Sequence, residues 1–228
     1  MAASLSPMND PIVEALRGYD TPTLANAIEE FDVRPRDEGF ARLDVRCMFP
    51  ELGVMVGYAA TATIRARGRG RGEQAALWQH VRSVPAPRVV VVQDLDEPPA
   101  HGSLWGEVNA TVFQALGCVG TVTDGSVRDL NEVRGLGFHF FARGPAVSHA
   151  YVRVESVGEP VTVGGLAVQP GDLIHADQHG VLLVPRAIAA ELPAAAERVM
   201  EREQTFLRWV RSPDFDPDRL AEMRRVRH

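Results

Sequence analysis

The spacing of apolar residues changes several times along the chain. Leu24, Ile28 and Phe31 recur at helical intervals and predict a helix from Pro22 to Phe31. Asp20 or Thr21 can cap it, and Pro22 suits its first turn. A strand is predicted at 57–66, a Gly/Arg loop at 67–72 (RGRGRG) and a helix from Glu73 to about Val84. Val89 to Gln93 (VVVVQ) is apolar at successive positions, as in a strand of a sheet covered on both faces. Val108, Val112 and Leu116 give a second helical stripe, in a helix from about Ser103 that stops at Gly117. A strand at 119–123, a turn at Asp124-Gly125, a short helix from Ser126 to about Arg134 and a strand at 138–142 follow. Ser126 is expected as the cap of that helix, with Asp129 at its capping-box position.

After Gly144 the period shortens to that of strands. Short segments at 151–157, 160–163, 166–168, 173–176 and 181–184 are divided by Gly164-Gly165, Pro170-Gly171-Asp172 and His179-Gly180. A helix over about 187–210 closes the pattern, interrupted or restarted near Pro193, with a loosely attached tail after Ser212. No internal repeat is present. This order predicts an α/β fold over 1–228, an α/β layer fused to a small β-barrel-like layer in one domain.

Composition narrows the chemistry. The chain has 228 residues, 45% hydrophobic and 24% charged, with net charge −6, as expected for a globular domain with one sizeable core. The acidic balance argues against nucleic acid as a partner for the whole domain. No run approaches the ~20 apolar residues of a membrane span, and the first twenty residues lack the pattern of a secretion signal. A cytoplasmic protein is expected. All 24 basic residues are arginine. The absence of lysine excludes Schiff-base aldolases, pyridoxal-phosphate enzymes and P-loop nucleotidases. Cys47 and Cys118 are too few for a four-thiolate zinc site and are expected as buried thiols. His80, His101, His139, His149, His175 and His179 lack zincin spacing, and no G-x-S-x-G elbow occurs. The glycines of the Gly/Arg loop miss the dinucleotide pattern by one residue; the loop is a flexible surface segment or a rim that attracts anions.

The densest chemistry lies in GSLWGEVNATVFQALGCVGTVTDGSVRDLNEV, Gly102 to Val133. It contains two predicted helix starts separated by one strand. The first, Gly106, Glu107, Val108 and Asn109, presents unpaired amides suited to a carboxylate, with glycine at 106 permitting close approach of a ligand. The second carries Arg128 and Asp129 in the expected first turn of a helix at a strand end. An arginine fork grips a carboxylate, and an aspartate offers a hard oxygen to Mg²⁺ or Mn²⁺. The plainer reading is structural: Asp129 as a cap, Arg128 in a surface ion pair and Glu107 complementing a helix dipole.

This run resembles the 4-hydroxy-4-methyl-2-oxoglutarate / 4-carboxy-4-hydroxy-2-oxoadipate aldolases, a family that also includes the regulator of ribonuclease E activity A (RraA). The family pattern is an acidic residue, twenty intervening residues, then Arg-Asp; here it is Glu107, then Arg128-Asp129, with Glu132 completing R-D-x-x-E. Aspartate is commoner than glutamate at the first position. GYDTPTLANAIEEF (18–31), GYAATATI (57–64) and VTVGGLAVQPGDLIHADQHGVLLVP (161–185) extend the resemblance over roughly residues 18 to 205.

The resemblance implies a swivelling β/β/α fold, like the phosphohistidine domain of phosphoenolpyruvate-utilising enzymes, and a homo-oligomer (trimer or hexamer) with interface active sites. An acidic residue of a neighbouring C-terminal helix, Glu201 or Glu203 here, would enter the site. It implies a metal-dependent lyase that cleaves a 4-hydroxy-2-oxo dicarboxylic or tricarboxylic acid to pyruvate and a second keto acid, with oxaloacetate decarboxylation as a side reaction. Asp129 would hold the metal. Arg128, Glu107 and Asp129 would act on the substrate, which Gly106, Glu107, Val108, Asn109 and Arg128 would bind. Arg71, His80 and Arg143 are candidate rim residues. The alternative is a protein-binding regulator without catalysis.

Overall fold

The computed structural model describes residues 10–225; the first nine residues, part of the opening stretch read as lacking a secretion signal, and the last three of the tail lie outside them. Two short helices open the chain. In α1 (Pro11–Leu16) Asp10 accepts the amide of Ile12, and in α2 (Thr21–Ile28) Asp20 accepts that of Thr23 at 2.8 Å, so Asp20 rather than Thr21 is the cap. The predicted helix to Phe31 ends as α helix at Ile28, and a 3-10 turn carries it through Phe31.

An eight-stranded sheet is the centre of the molecule. Its strands are β1 (Arg46–Cys47), β2 (Met55–Arg65), β3 (Arg88–Asp94), β4 (Cys118–Thr123), β6 (His139–Ala142), β8 (Arg153–Val157), β11 (Leu173–Asp177) and β12 (Gly180–Val184). The order is β1-β6-β4-β3-β2-β11-β12. β2, β3, β4 and β6 run parallel; β1, β11 and β12 are antiparallel to their neighbours. The long β2 pairs with β11 through Met55–Tyr58 and with β8 through Ala62–Arg65. Beyond β12 the chain at Phe40 bridges to Leu182, and six residues later it enters β1, so the sheet is nearly closed into a barrel. A hairpin of β9 (Val161–Val163) and β10 (Leu166–Val168) packs into its interior.

Burial explains the strand compositions. Val89 and Val91 face the barrel interior with Met55, Val122, Phe141 and Ile174, whereas Val90 and Val92 face the helices. The apolar run read as a strand covered on both faces is therefore that. The outer face packs against α2, α3 (Gln74–Ser83), α4 (Glu107–Ala115), α5 (Leu130–Leu136) and α6 (Leu192–Val210). The expected helix from 187 begins at Leu192, with Pro193 in its first turn, after a segment of turns. Cys47 and Cys118 are free thiols, the latter buried. Among the described residues no helix is long and apolar enough to cross a membrane.

Two readings of the central segment are corrected. The helix expected from Ser103 starts at Glu107, because Ser103 to Trp105 run beneath it, with Trp105 1% exposed against Phe113, Phe138 and Phe140. Ala110 and Phe113, not Val108 and Val112, are its buried face, and Val108 is 75% exposed. Ser126 does not cap a helix: Ser126–Val127 form β5, parallel to β7 (Gly144–Pro145), and the helix begins at Leu130.

Candidate active site

The ends of two chain segments meet beyond the carboxyl ends of β3 and β4, where open α/β sheets bind ligands. Ser103 joins them. Its side-chain oxygen lies 2.7 Å from both the Trp105 and the Ser126 carbonyls, shares one proton between them, and accepts the Trp105 amide. The Arg128 amide donates to the Trp105 carbonyl at 2.9 Å, and Trp105 bridges Val127 in parallel. Asn109 turns its side-chain amide back onto the Leu104 carbonyl, so this member of the predicted set braces the loop.

This ladder leaves Asp129 in the left-handed region, φ 54° and ψ 46°, as the residue before α5. It lies outside the helical turn in which the sequence pattern put it, and its carboxylate caps no amide of α5. Pairing of Ser126 and Val127 with their neighbours outweighs local capping preference. The freed carboxylate reaches the other segment instead: Asp129 Oδ2 accepts the Glu107 amide at 3.0 Å. Gly106 makes this approach possible, since a Cβ there would lie 2.4 Å from Asp129 Oδ2. The close neighbour that requires glycine is thus the protein's own carboxylate. The first intrahelical bond of α4 runs from Ala110 N–H to Gly106, so the Val108 and Asn109 amides point out of the helix end.

Arg128 Nη2 lies 3.9 Å from Asp129 Oδ2, with both side chains about one-third exposed. Glu107 and Glu132 are exposed in the first turns of α4 and α5. The structure therefore brings Gly106, Glu107, Val108, Asn109, Arg128 and Asp129 onto one open shelf. Of the candidate rim residues, Arg143 anchors the neighbouring turn, donating to the Asp124 carbonyl and pairing with Asp44 at 2.9 Å. His80 lies elsewhere, on α3 beside Gly158. Glu201 is exposed on α6.

Sequence reasoning missed a group of carboxylates behind the shelf. Asp124 Oδ1 accepts the Asp94 amide at 2.8 Å, and Asp94 accepts the amides of Asp96 and Ala100. Burial, reinforced by Asp94, pushes the Asp124 carboxyl up to about 6. Burial likewise raises Asp94. Spacing gives no hint of this group, because its members come from two segments that lie 30 residues apart.

The resemblance implies a divalent metal at these donors. Among the described residues no group of three or more His, Cys, Asp or Glu side chains is placed to hold an ion. One partly exposed aspartate, with Glu107 and Glu132 in the adjoining helix turns and without histidine or thiolate, is a hard-oxygen donor set. It fits Mg²⁺ or Mn²⁺ held by one or two carboxylates and mostly by water and substrate. A cavity of about 640 Å³ lies apart from the shelf, lined by Thr21, Pro22, Phe40, Leu43, Asp44 and His179 among others. It is an apolar hollow at the barrel's closing seam and contains none of Glu107, Arg128 or Asp129.

Comparison with known proteins gives an independent view. The model of a family described as RraA-like, Aldolase/RraA, matches residues 21–183. A candidate 4-hydroxy-4-methyl-2-oxoglutarate aldolase of Halalkalibacterium halodurans is 34% identical over 82 residues, 36% of this chain and 39% of that protein. Protein DlpA of Legionella pneumophila is 29% identical over 108 residues, 46% of this chain and 17% of that protein. The chain thus matches well under half the length of either relative. Among solved structures, Streptomyces coelicolor RraAS2, described as an unusual member of the RNase ES inhibitor RraA family, superposes with a TM-score of 0.65 at 27% identity. That match covers 89% of this chain and 98% of the other. The nearly closed, mixed α/β barrel is shared with it.

Proposed function

The chain belongs to the RraA-like family, and from that premise we propose that it is a divalent-metal-dependent aldolase releasing pyruvate from a 4-hydroxy-2-oxo di- or tricarboxylic acid. The observation that carries this reading is the 3.0 Å bond from the Glu107 amide to Asp129, which holds the starts of α4 and α5 side by side.

Breaking the C3–C4 bond of such an acid sends its electron pair into C3 and the C2 carbonyl, giving a pyruvate enolate. Without lysine no side chain can form the iminium that would absorb that charge. Asp129 would hold Mg²⁺ or Mn²⁺, which when bound supplies Lewis acidity toward the keto and carboxylate oxygens. The outward amides of Val108 and Asn109, on the positive end of α4, bind the substrate carboxylate. Arg128, fixed through its backbone to Trp105, offsets the negative charge growing on the enolate oxygen. A water held by Glu107 takes the proton of the C4 hydroxyl as that carbon becomes a ketone. Protonation at C3 then completes pyruvate. The same enolate chemistry allows oxaloacetate decarboxylation.

Because the shelf is open, we further propose that a neighbouring copy covers it in a trimer or hexamer, with Glu201 or Glu203 of that copy's α6 as the incoming acid. A regulator of RNA processing is the second reading, favoured by the likeness to the Streptomyces protein.

Pyruvate release followed with lactate dehydrogenase, with and without Mg²⁺, separates the two. The aldolase reading expects Mg²⁺-dependent turnover of oxaloacetate or a 4-hydroxy-2-oxo acid, and a loss of at least about 100-fold in Asp129→Ala and in Arg128→Ala. Full turnover in EDTA, or in Asp129→Ala, rejects it.

A further inference from the structure

The shelf uses no residue of the Gly/Arg segment that follows β2, yet the start of that segment is held from two sides. The buried Asp96 carboxylate, 4% exposed, accepts the amides of Ala66 at 2.7 Å and Arg67 at 3.0 Å. From the other side Arg153 donates to the carbonyls of Arg67 at 3.0 Å and Gly68 at 2.8 Å, while its Nε pairs with Glu155. Gly70 and Gly72 are pressed onto Arg153: a Cβ at either would come within 2.8 Å of its side chain. Ala66, Arg67 and Gly68 are therefore tied down through their backbone, and Gly70 and Gly72 lie against Arg153.

What it presents is exposed positive charge. The side chains of Arg67, Arg69 and Arg71 are exposed, and none forms an ion pair among the described residues. Arg69 lies over the Tyr151 ring, 5.6 Å from its centroid. Three cations within five residues, on a chain of net charge −6, concentrate positive potential at one place.

The start of the segment lies beside the chain that leads to the shelf. The Tyr151 amide donates to the Ala66 carbonyl, and the Ser103 amide to the Ser148 carbonyl, both at 3.1 Å. A Cβ at Gly102 would lie 2.9 Å from that of Ala66. Ser103, next in sequence, is the residue that joins the two helix-start segments. From Gly102 to Gly106 the chain spans at most about 14 Å.

We propose that Arg67, Arg69 and Arg71 form a second anion subsite, which takes the distal carboxylates of a polycarboxylic substrate whose 2-oxo-acid end lies at Glu107 and Asp129. The placement of that end rests on the aldolase reading; the cationic subsite does not. Guanidinium forks match carboxylates in pairs, so the subsite favours branched acids with two carboxylates at or beyond C4 over acids with one.

Calorimetric titration of the full chain at low salt with tricarballylate, a non-reacting tricarboxylate, tests the subsite. Wild type is expected to bind it more tightly than acetate. The combined variant R67Q/R69Q/R71Q, whose melting confirms folding, is expected to bind tricarballylate at least about tenfold more weakly. If the combined variant does not fold, R71Q alone is expected to lose about threefold. Equal affinity of wild type and variant overturns the proposal, as does a wild type that prefers acetate. Loss of single-stranded RNA binding with tricarballylate binding unchanged also overturns it, and makes the loop a nucleic-acid contact. Failure of the aldolase reading has a different signature: no Mg²⁺-dependent pyruvate release by wild type, whatever the arginines bind.

Discussion

At the scale of single residues, Gly106 shows most clearly how sequence and structure divide the argument. Its place before an acidic helix start was visible, but its reason was not. The sequence pattern suggests room for a ligand; the structure puts Asp129 Oδ2 where a Cβ would stand. Gly106→Ala is therefore expected to displace the carboxylate and cost about 100-fold in kcat/KM, the scale of a small misplacement at a reacting centre. Kinetics within threefold of wild type, with the fold intact by circular dichroism, would remove Asp129 from the site. His139 is a second case. It lies buried in the barrel, stacked on Phe141, and burial pushes it down to about 4. A histidine kept neutral in the fold but ordinary when unfolded contributes stability above pH 6.5 that is lost as the pH falls toward 4. Relative to His139→Leu, wild type should lose about 2 kcal/mol between pH 7.5 and pH 5. Urea unfolding at the two pH values measures this, and an equal change in both proteins would contradict it.

At the scale of elements, those governed by one hydrophobic period were legible. Val89 to Gln93, the cap at Asp20 and the stop at Gly117 follow from local rules. Ser126 to Asp129 did not, because a cap signature and a short strand differ only in what lies alongside. Here Trp105, Ser103 and β7 supply partners distant in sequence, and the strand prevails. The short α1 escaped notice, having one turn and a half and only two buried residues. The junction is expected to depend on Ser103. Ser103→Ala would leave the buried Ser126 carbonyl and the Trp105 amide without that partner and cost about 2 kcal/mol. A thermal or urea midpoint unchanged by the substitution would show that the two segments are held together by something else.

At the scale of the whole molecule, the alternation of strand and helix followed by a strand cluster implied the α/β layer and its β companion. Closure of the barrel was not readable, because it depends on Phe40 meeting Leu182 across more than a hundred residues. The constellation of Glu107 with Arg128-Asp129 was legible as a motif, whereas the contact joining them needed coordinates. The apolar hollow at the seam and the carboxylates behind the shelf were likewise invisible in the sequence, since each assembles residues from separate loops. The central claim is that these helix starts form a single site for a hard cation and a keto acid. Titration with Mn²⁺ followed by electron paramagnetic resonance, in the presence of oxalate as an enolate mimic, tests it most directly. One Mn²⁺ bound per wild-type chain and none in Asp129→Ala is the predicted result; equal binding by both proteins would contradict the claim.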